Sequence, residues 1–131
     1  VGRSAYGHHI HLLGWLPERD KQRLLRGAHL FVFPSQYEGF GIPLLEAASC
    51  GVPVVARRAG SLPEIAGSSL VRWYDHPNGL SAVLKEALAD TAWHLHVKAE
   101  GPKHATRFSW RASALRTYEV LRKALSDTDR P

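Results

Sequence analysis

Methionine is missing from this chain of 131 residues, and cysteine occurs once, at Cys50. A single thiol excludes an internal disulfide, so the fold has to rest on core packing. Cys50 stands beside Gly51 among small residues and reads as a small apolar side chain rather than a nucleophile. Long hydrophobic runs are lacking too, and none approaches the ~20 residues that span a bilayer. The first residues, Val1-Gly2-Arg3-Ser4, offer no apolar signal region. The expectation is a reducing, cytoplasmic compartment, with peripheral contact to a membrane left open. There is also no dense basic tract, RNA-binding motif or zinc-finger spacing. That argues against nucleic acid as a partner, although 17 Lys plus Arg stand against 12 Asp plus Glu for a net charge of +5. Ligand sets for a metal are missing as well. His9 and His11 share a strand face without a third ligand, and His94 and His96 leave a helix on different sides. The expected metal content is none.

What is present fits one soluble domain: 44% apolar residues with 22% charged, in a length able to bury a core. Residues 1–8 read as an irregular lead-in and His9–Gly14 as a short strand. Glu18–Gly27 has the pattern of an amphipathic helix, with Leu24, Leu25 and Ala28 on its apolar side. Leu30–Phe33 reads as the second strand, its Phe31-Val32-Phe33 run suiting burial on both faces. Val54–Ala56 is a third strand and Leu70–Trp73 a fourth. Between them lie a helix at Ile42–Ser49 and one helical turn at Leu62–Ala66. After Pro77-Asn78-Gly79 the chain turns helical. Ser81–Ala89 comes first, then Thr91–Ala105, which Gly101-Pro102 is expected to interrupt. A last helix, Trp110–Leu125, is capped by Ser109 and followed by a frayed tail at 126–131. Trp15, Trp73, Trp93 and Trp110 read as packing anchors. Strands alternating with helices imply a parallel α/β sheet with right-handed crossovers.

The most informative stretch is Phe31–Glu64. A strand leads through Gly39 and Gly41 into a helix whose first turn holds Pro43. Such a helix opening presents unpaired amides and a positive dipole end to phosphate. Glu38 and Glu46 flank the turn eight positions apart. Arg57 and Arg58 stand at the end of the next strand, where a ligand of such a sheet would lie.

The run YEGFGIPLLEAASCGVPVVA, followed by GSLPEIAG, resembles the donor-binding half of the retaining glycosyltransferases of family 4. HLLGWLPE and the closing RFSWRASALRTYEVL extend the likeness over about residues 8–125. The resemblance implies a GT-B architecture, of which residues 1–131 would be a single, partial, Rossmann-like nucleotide-sugar-binding domain, with 109–125 its C-terminal helix. The N-terminal acceptor domain, and a glycine loop carrying an Arg and a Lys for the diphosphate, would lie outside the chain. It implies sugar transfer from a nucleoside diphosphate sugar to an acceptor hydroxyl with retention, using no cofactor beyond that co-substrate. Glu38 matches the first motif glutamate, which contacts the transferred sugar and supports charge at the anomeric centre. Glu46 matches the second, which holds the ribose hydroxyls. Ser35, Gly39, Phe40, Gly41, Ile42, Leu44 and Glu64 complete the expected nucleotide-sugar contacts. The alternatives are a non-catalytic donor-domain fragment and an interaction module. In the latter, the last helix, with its stripe of Trp110, Tyr118, Leu121 and Leu125, would bind a partner chain or a second copy.

Overall fold

The structure, a computed structural model, describes residues 5–128. The start of the expected lead-in, 1–4, and the end of the expected tail, 129–131, lie outside the described residues. Along the chain come α1 (Glu18–Gly27), β1 (Phe31–Phe33), α2 (Ile42–Ser49), β2 (Val54–Arg57) and α3 (Leu62–Ile65). They are followed by β3 (Val71–Tyr74), α4 (Leu80–Ala89), α5 (Thr91–Ala105) and α6 (Trp110–Thr128). The strands form a parallel sheet in the order β1-β2-β3, with Phe31 opposite Val54 and Val54 opposite Val71. The α/β parallel class expected from the sequence is therefore the one observed.

β2 is the central strand, and Val54, Val55 and Ala56 are essentially sealed from solvent. Its uninterrupted apolar run follows from helices covering both faces. With Val54 and Val55, the largest fully buried side chains are Leu44 of α2, Leu62 of α3 and Val97 of α5. Each such side chain contributes about 1.5–3 kcal/mol relative to exposure. α2 packs on β2 and is in turn covered by α5, while α4 lies against β2 and β3. Phe31 and Phe33 are only half-buried and Val32 is exposed. Burial of that run on both faces is thus corrected: β1 is an edge strand among the described residues, and β2 is the strand that fits the description.

Three further expectations change. His9–Gly14 forms no strand; Gly7–His9 is a short 3-10 turn, and the following residues carry no ladder. Apolar alternation makes a strand only where a neighbour supplies hydrogen-bonding partners, and among the described residues none pairs with this segment. Ile10, Leu12, Leu13 and Trp15 accordingly stay exposed. Second, α5 runs unbroken through Gly101-Pro102. Pro102 forgoes only one donor close to the helix end, and the next turn still closes, Thr106 N–H donating to Pro102 O at 3.3 Å. Third, α6 continues to Thr128 rather than fraying after Leu125. Its Ser109 cap is present, the Oγ accepting from Ala112 N at 3.4 Å.

Of the tryptophans, Trp93 is an anchor. It is 7% exposed, and its indole N–H donates to Ser69 O at 2.9 Å. Trp73 is half-buried against the core. Trp15 and Trp110 are 86% and 82% exposed, and neither anchors anything in this fold.

Candidate functional site

The loops after β1 and β2 both leave the C-terminal end of the sheet, the end at which ligands of open α/β sheets bind. They are tied together there. Ser61 donates from its Oγ to Glu38 O at 3.2 Å and from its N–H to the same oxygen at 3.5 Å. Gly60, at φ +52°, allows the contact, because a Cβ at that position would lie 2.6 Å from Glu38 O. Within the first loop Ser35 Oγ donates to Tyr37 O at 3.1 Å. Glu38 is thus held by its backbone, with a half-buried side chain at the sheet's rim.

Gly41 is the N-cap of α2 and sits in the left-handed region at φ +86°. A Cβ there would overlap the side chain of Leu62, so glycine is required by conformation and by packing together. Gly39 differs: a Cβ there would meet no atom within 4 Å, so nothing in the fold itself demands glycine. Pro43 stands in the first turn of α2, where its lost donor costs nothing. Pro43 has no N–H and Leu44 N–H is already taken by Gly41 O, so the amides this opening can offer beside Glu38 are those before Pro43, together with the positive end of the helix dipole.

Glu46 is the fifth residue of α2 and opens the second helical turn, not the first. Ile42, one turn earlier on the same face, is 45% exposed. Phe40 is 46% exposed and meets Phe108 edge to face, with ring centroids 5.9 Å apart. Leu44 points the other way. Its side chain is fully buried in the core and its N–H donates to Gly41 O at 3.0 Å, so that side chain is not offered to a ligand. Glu64 lies exposed on α3, and its N–H donates to Ser61 O at 3.0 Å. Ser35, Glu38, Gly39, Phe40, Gly41, Ile42 and Glu46 are therefore gathered around one loop and helix opening, with Glu64 beyond the Ser61 tie.

Sequence reasoning missed Lys21. From α1 its Nζ donates to Glu46 Oε1 at 2.7 Å and lies 2.8 Å from Glu18 Oε2. The Glu18 hydrogen bond, then that of Glu46, raises the Lys21 pKa above its ordinary value, and Lys21 lowers that of Glu18. Only the i,i+3 contact with Glu18 was legible in the sequence; the reach of 25 residues to Glu46 was not. Arg58 is committed elsewhere: it lies over the Trp73 ring at 5.3 Å with its Nε 3.4 Å from Asp75. Arg57, at the end of β2, is half-buried. Two of the histidines bond within the fold. His94 Nε2 is 2.8 Å from Ala87 O and His104 Nε2 is 2.7 Å from Ile65 O. A carbonyl only accepts, so each ring donates from Nε2. Among the described residues no His, Cys, Asp and Glu group could hold a metal ion.

Fold and site together define a Rossmann-like α/β domain that collects two carboxylates and a free helix opening at the C-terminal edge of its sheet. Residues 4–104 match the family described as Glycosyl transferases group 1, and the chain belongs to that family. It is 42% identical over 123 residues to O-antigen chain mannosyltransferase B of Escherichia coli, covering 93% of this chain and 32% of that protein. It is 35% identical over 123 residues to MMP alpha-(1->4)-mannosyltransferase of Mycolicibacterium hassiacum, covering 89% of this chain and 30% of the relative. Among solved structures, sucrose-phosphate synthase from Thermosynechococcus elongatus superposes with a TM-score of 0.79 at 27% identity. That match covers 92% of this chain and 31% of the synthase. The chain thus spans about a third of the length of these proteins. Its fold is part of the Rossmann-like half of a GT-B glycosyltransferase, with three parallel strands among the described residues.

Proposed function

We propose that the chain is the donor-binding part of a retaining glycosyltransferase that moves a hexosyl group from a nucleoside diphosphate sugar to an acceptor hydroxyl. The observation that carries this reading is the placement of Glu38 and Glu46 on either side of the Gly41 opening of α2, at the sheet's C-terminal edge. The amides and dipole of that opening take the diphosphate. Glu46, one turn into the helix, accepts from the ribose diol. Glu38, fixed by the Ser61 tie, faces the sugar and stabilises positive charge at the anomeric carbon as the diphosphate departs. Gly39, open on its Cβ side, lets the donor approach the backbone. Phe40 and Ile42 supply half-exposed apolar surface beside it. The leaving group's charge is met by fixed dipoles and side chains, with no metal and no further cofactor.

Mannosyl donors head the list of candidates, because two of the similar proteins are named mannosyltransferases. The acceptor is bound by a second surface facing this one, as the relatives' greater length suggests. By itself the chain binds donor and transfers little or nothing. No helix among the described residues is long and apolar enough to cross a membrane. Calorimetric titration with UDP-, GDP- and ADP-linked sugars tests the reading. Binding of one of them is expected; silence from all three classes overturns it.

A second reading, an interaction module, is favoured by α6. Trp110, Tyr118 and Leu121 on that helix are 82%, 62% and 58% exposed.

A further inference from the structure

A carboxylate beside a diphosphate repels it, so the proposed site needs a cation close to Glu46. The structure supplies one from an element that the motif does not include. Lys21 projects from the first turn of α1 and reaches Glu46 Oε1 on α2 at 2.7 Å. The contact is partly sheltered, with side-chain exposures of 37% for Lys21 and 29% for Glu46. The Arg23–Asp20 pair on the same helix is a loose surface pair by comparison, 3.4 Å apart with exposures of 61% and 51%. Lys21 is further pinned by Glu18 at 2.8 Å, so its ammonium is held from two sides.

We propose that Lys21 is a positioning residue for nucleotide recognition. It fixes the Glu46 carboxylate through Oε1, leaves Oε2 as the acceptor for the ribose hydroxyls, and offsets part of the repulsion between Glu46 and the diphosphate, its single charge being shared with Glu18. The inference rests on the reading of Glu46 as the ribose acceptor and adds a residue to it. An ammonium suits the role because its three donors can serve Glu18 and Glu46 at once. The carboxylate is then pre-set before the nucleotide arrives, which lowers the ordering cost of binding. A role confined to tying α1 to α2 would affect stability and leave ribose recognition alone.

The test is calorimetry on the 131-residue chain with UDP, GDP and ADP, and with the 2′-deoxy and 3′-deoxy forms of whichever binds. Lys21→Met and Lys21→Arg are compared with the native chain, with urea midpoints as the check on folding. Lys21→Met is expected to weaken the ribonucleotide about tenfold, the scale of one hydrogen bond to a charged group. It should also close the affinity gap between ribo and deoxy forms, and Lys21→Arg should restore most of both. Lys21→Met binding that keeps the native gap overturns the proposal, whether or not the variant is less stable. A native chain that binds ribo and deoxy forms equally removes the Glu46 assignment beneath it. A native chain that binds no nucleotide removes the donor-site reading as well.

Discussion

At Gly101 one added methyl group would sit 2.6 Å from Ala48 O, a backbone atom that cannot swing aside. Glycine inside a helix normally costs about 0.5–1 kcal/mol relative to alanine. Here α5 crosses α2 so closely that the clash, about 1–3 kcal/mol for an overpacked contact, outweighs that gain. Gly101→Ala is therefore expected to lower the urea midpoint. Gly27→Ala, at the end of α1 with nothing within 4 Å of the added carbon, should raise it slightly. Equal shifts of the same sign would refute the close-crossing argument. At the site, the residue-level signals differ in how they were legible. Glu38, Gly41 and Glu46 stand out because their spacing around a strand-to-helix turn is itself a pattern. Lys21 carries no such signal, since its partner lies on another element 25 residues away. Leu44 shows the converse. The family resemblance placed it with the ligand contacts, and helix geometry turned its side chain into the core.

Among the elements, α5 organises the covering layer, and its start depends on one side chain. Asp90 Oδ1 accepts from Trp93 N at 2.9 Å, and its Oδ2 receives Arg72 Nη2 at 2.5 Å. Arg72 also lies over the Trp93 ring at 5.1 Å. One carboxylate thus caps α5, fixes it to β3 and helps seat the buried indole. Loss of an N-cap alone costs about 1 kcal/mol. Asp90→Ala is expected to lose at least that in urea unfolding, and Asp90→Asn, which keeps the cap oxygen, to lose less. Indistinguishable variants would mean that the cap contributes little. The opening of α2 was readable from Gly41 and Pro43, and its end from Gly51. The strand expected at His9–Gly14 was not to be had from pattern alone, because a strand is a property of a pair and periodicity describes one partner.

On the scale of the whole molecule, the most consequential feature is that α6 does not pack on the sheet. Apart from Ala112, its side chains from Trp110 to Ser126 are exposed, including Tyr118, Leu121 and Val120. The isolated sequence reads this stripe as a helix with something to bury, and in this fold it remains uncovered. Apolar area of that kind promotes association. Static light scattering on the concentrated chain is expected to give a mass above 14.5 kDa, and Tyr118→Glu with Leu121→Glu to return it to the monomer value. A clean monomer at high concentration before substitution would contradict this. The proposed donor site does not depend on that outcome, since Glu38 is tied to Ser61 and Glu46 to Lys21 of α1.

The sequence by itself determined the α/β class, the parallel pairing of the strands, the helix opening at Gly41 and the two flanking carboxylates. All of these depend on local chemistry: glycine where φ is positive, proline in a first turn, and an apolar run in a covered strand. Tertiary structure alone decided that β2 rather than β1 is the buried strand. It also decided that the loops after β1 and β2 are tied through Ser61, and that Lys21 meets Glu46. Each of these depends on which distant segments touch, and a contact across 23 or 25 residues leaves no periodic trace in the chain that makes it. The helix opening read from the glycines and proline is local; the charge balance around it is not.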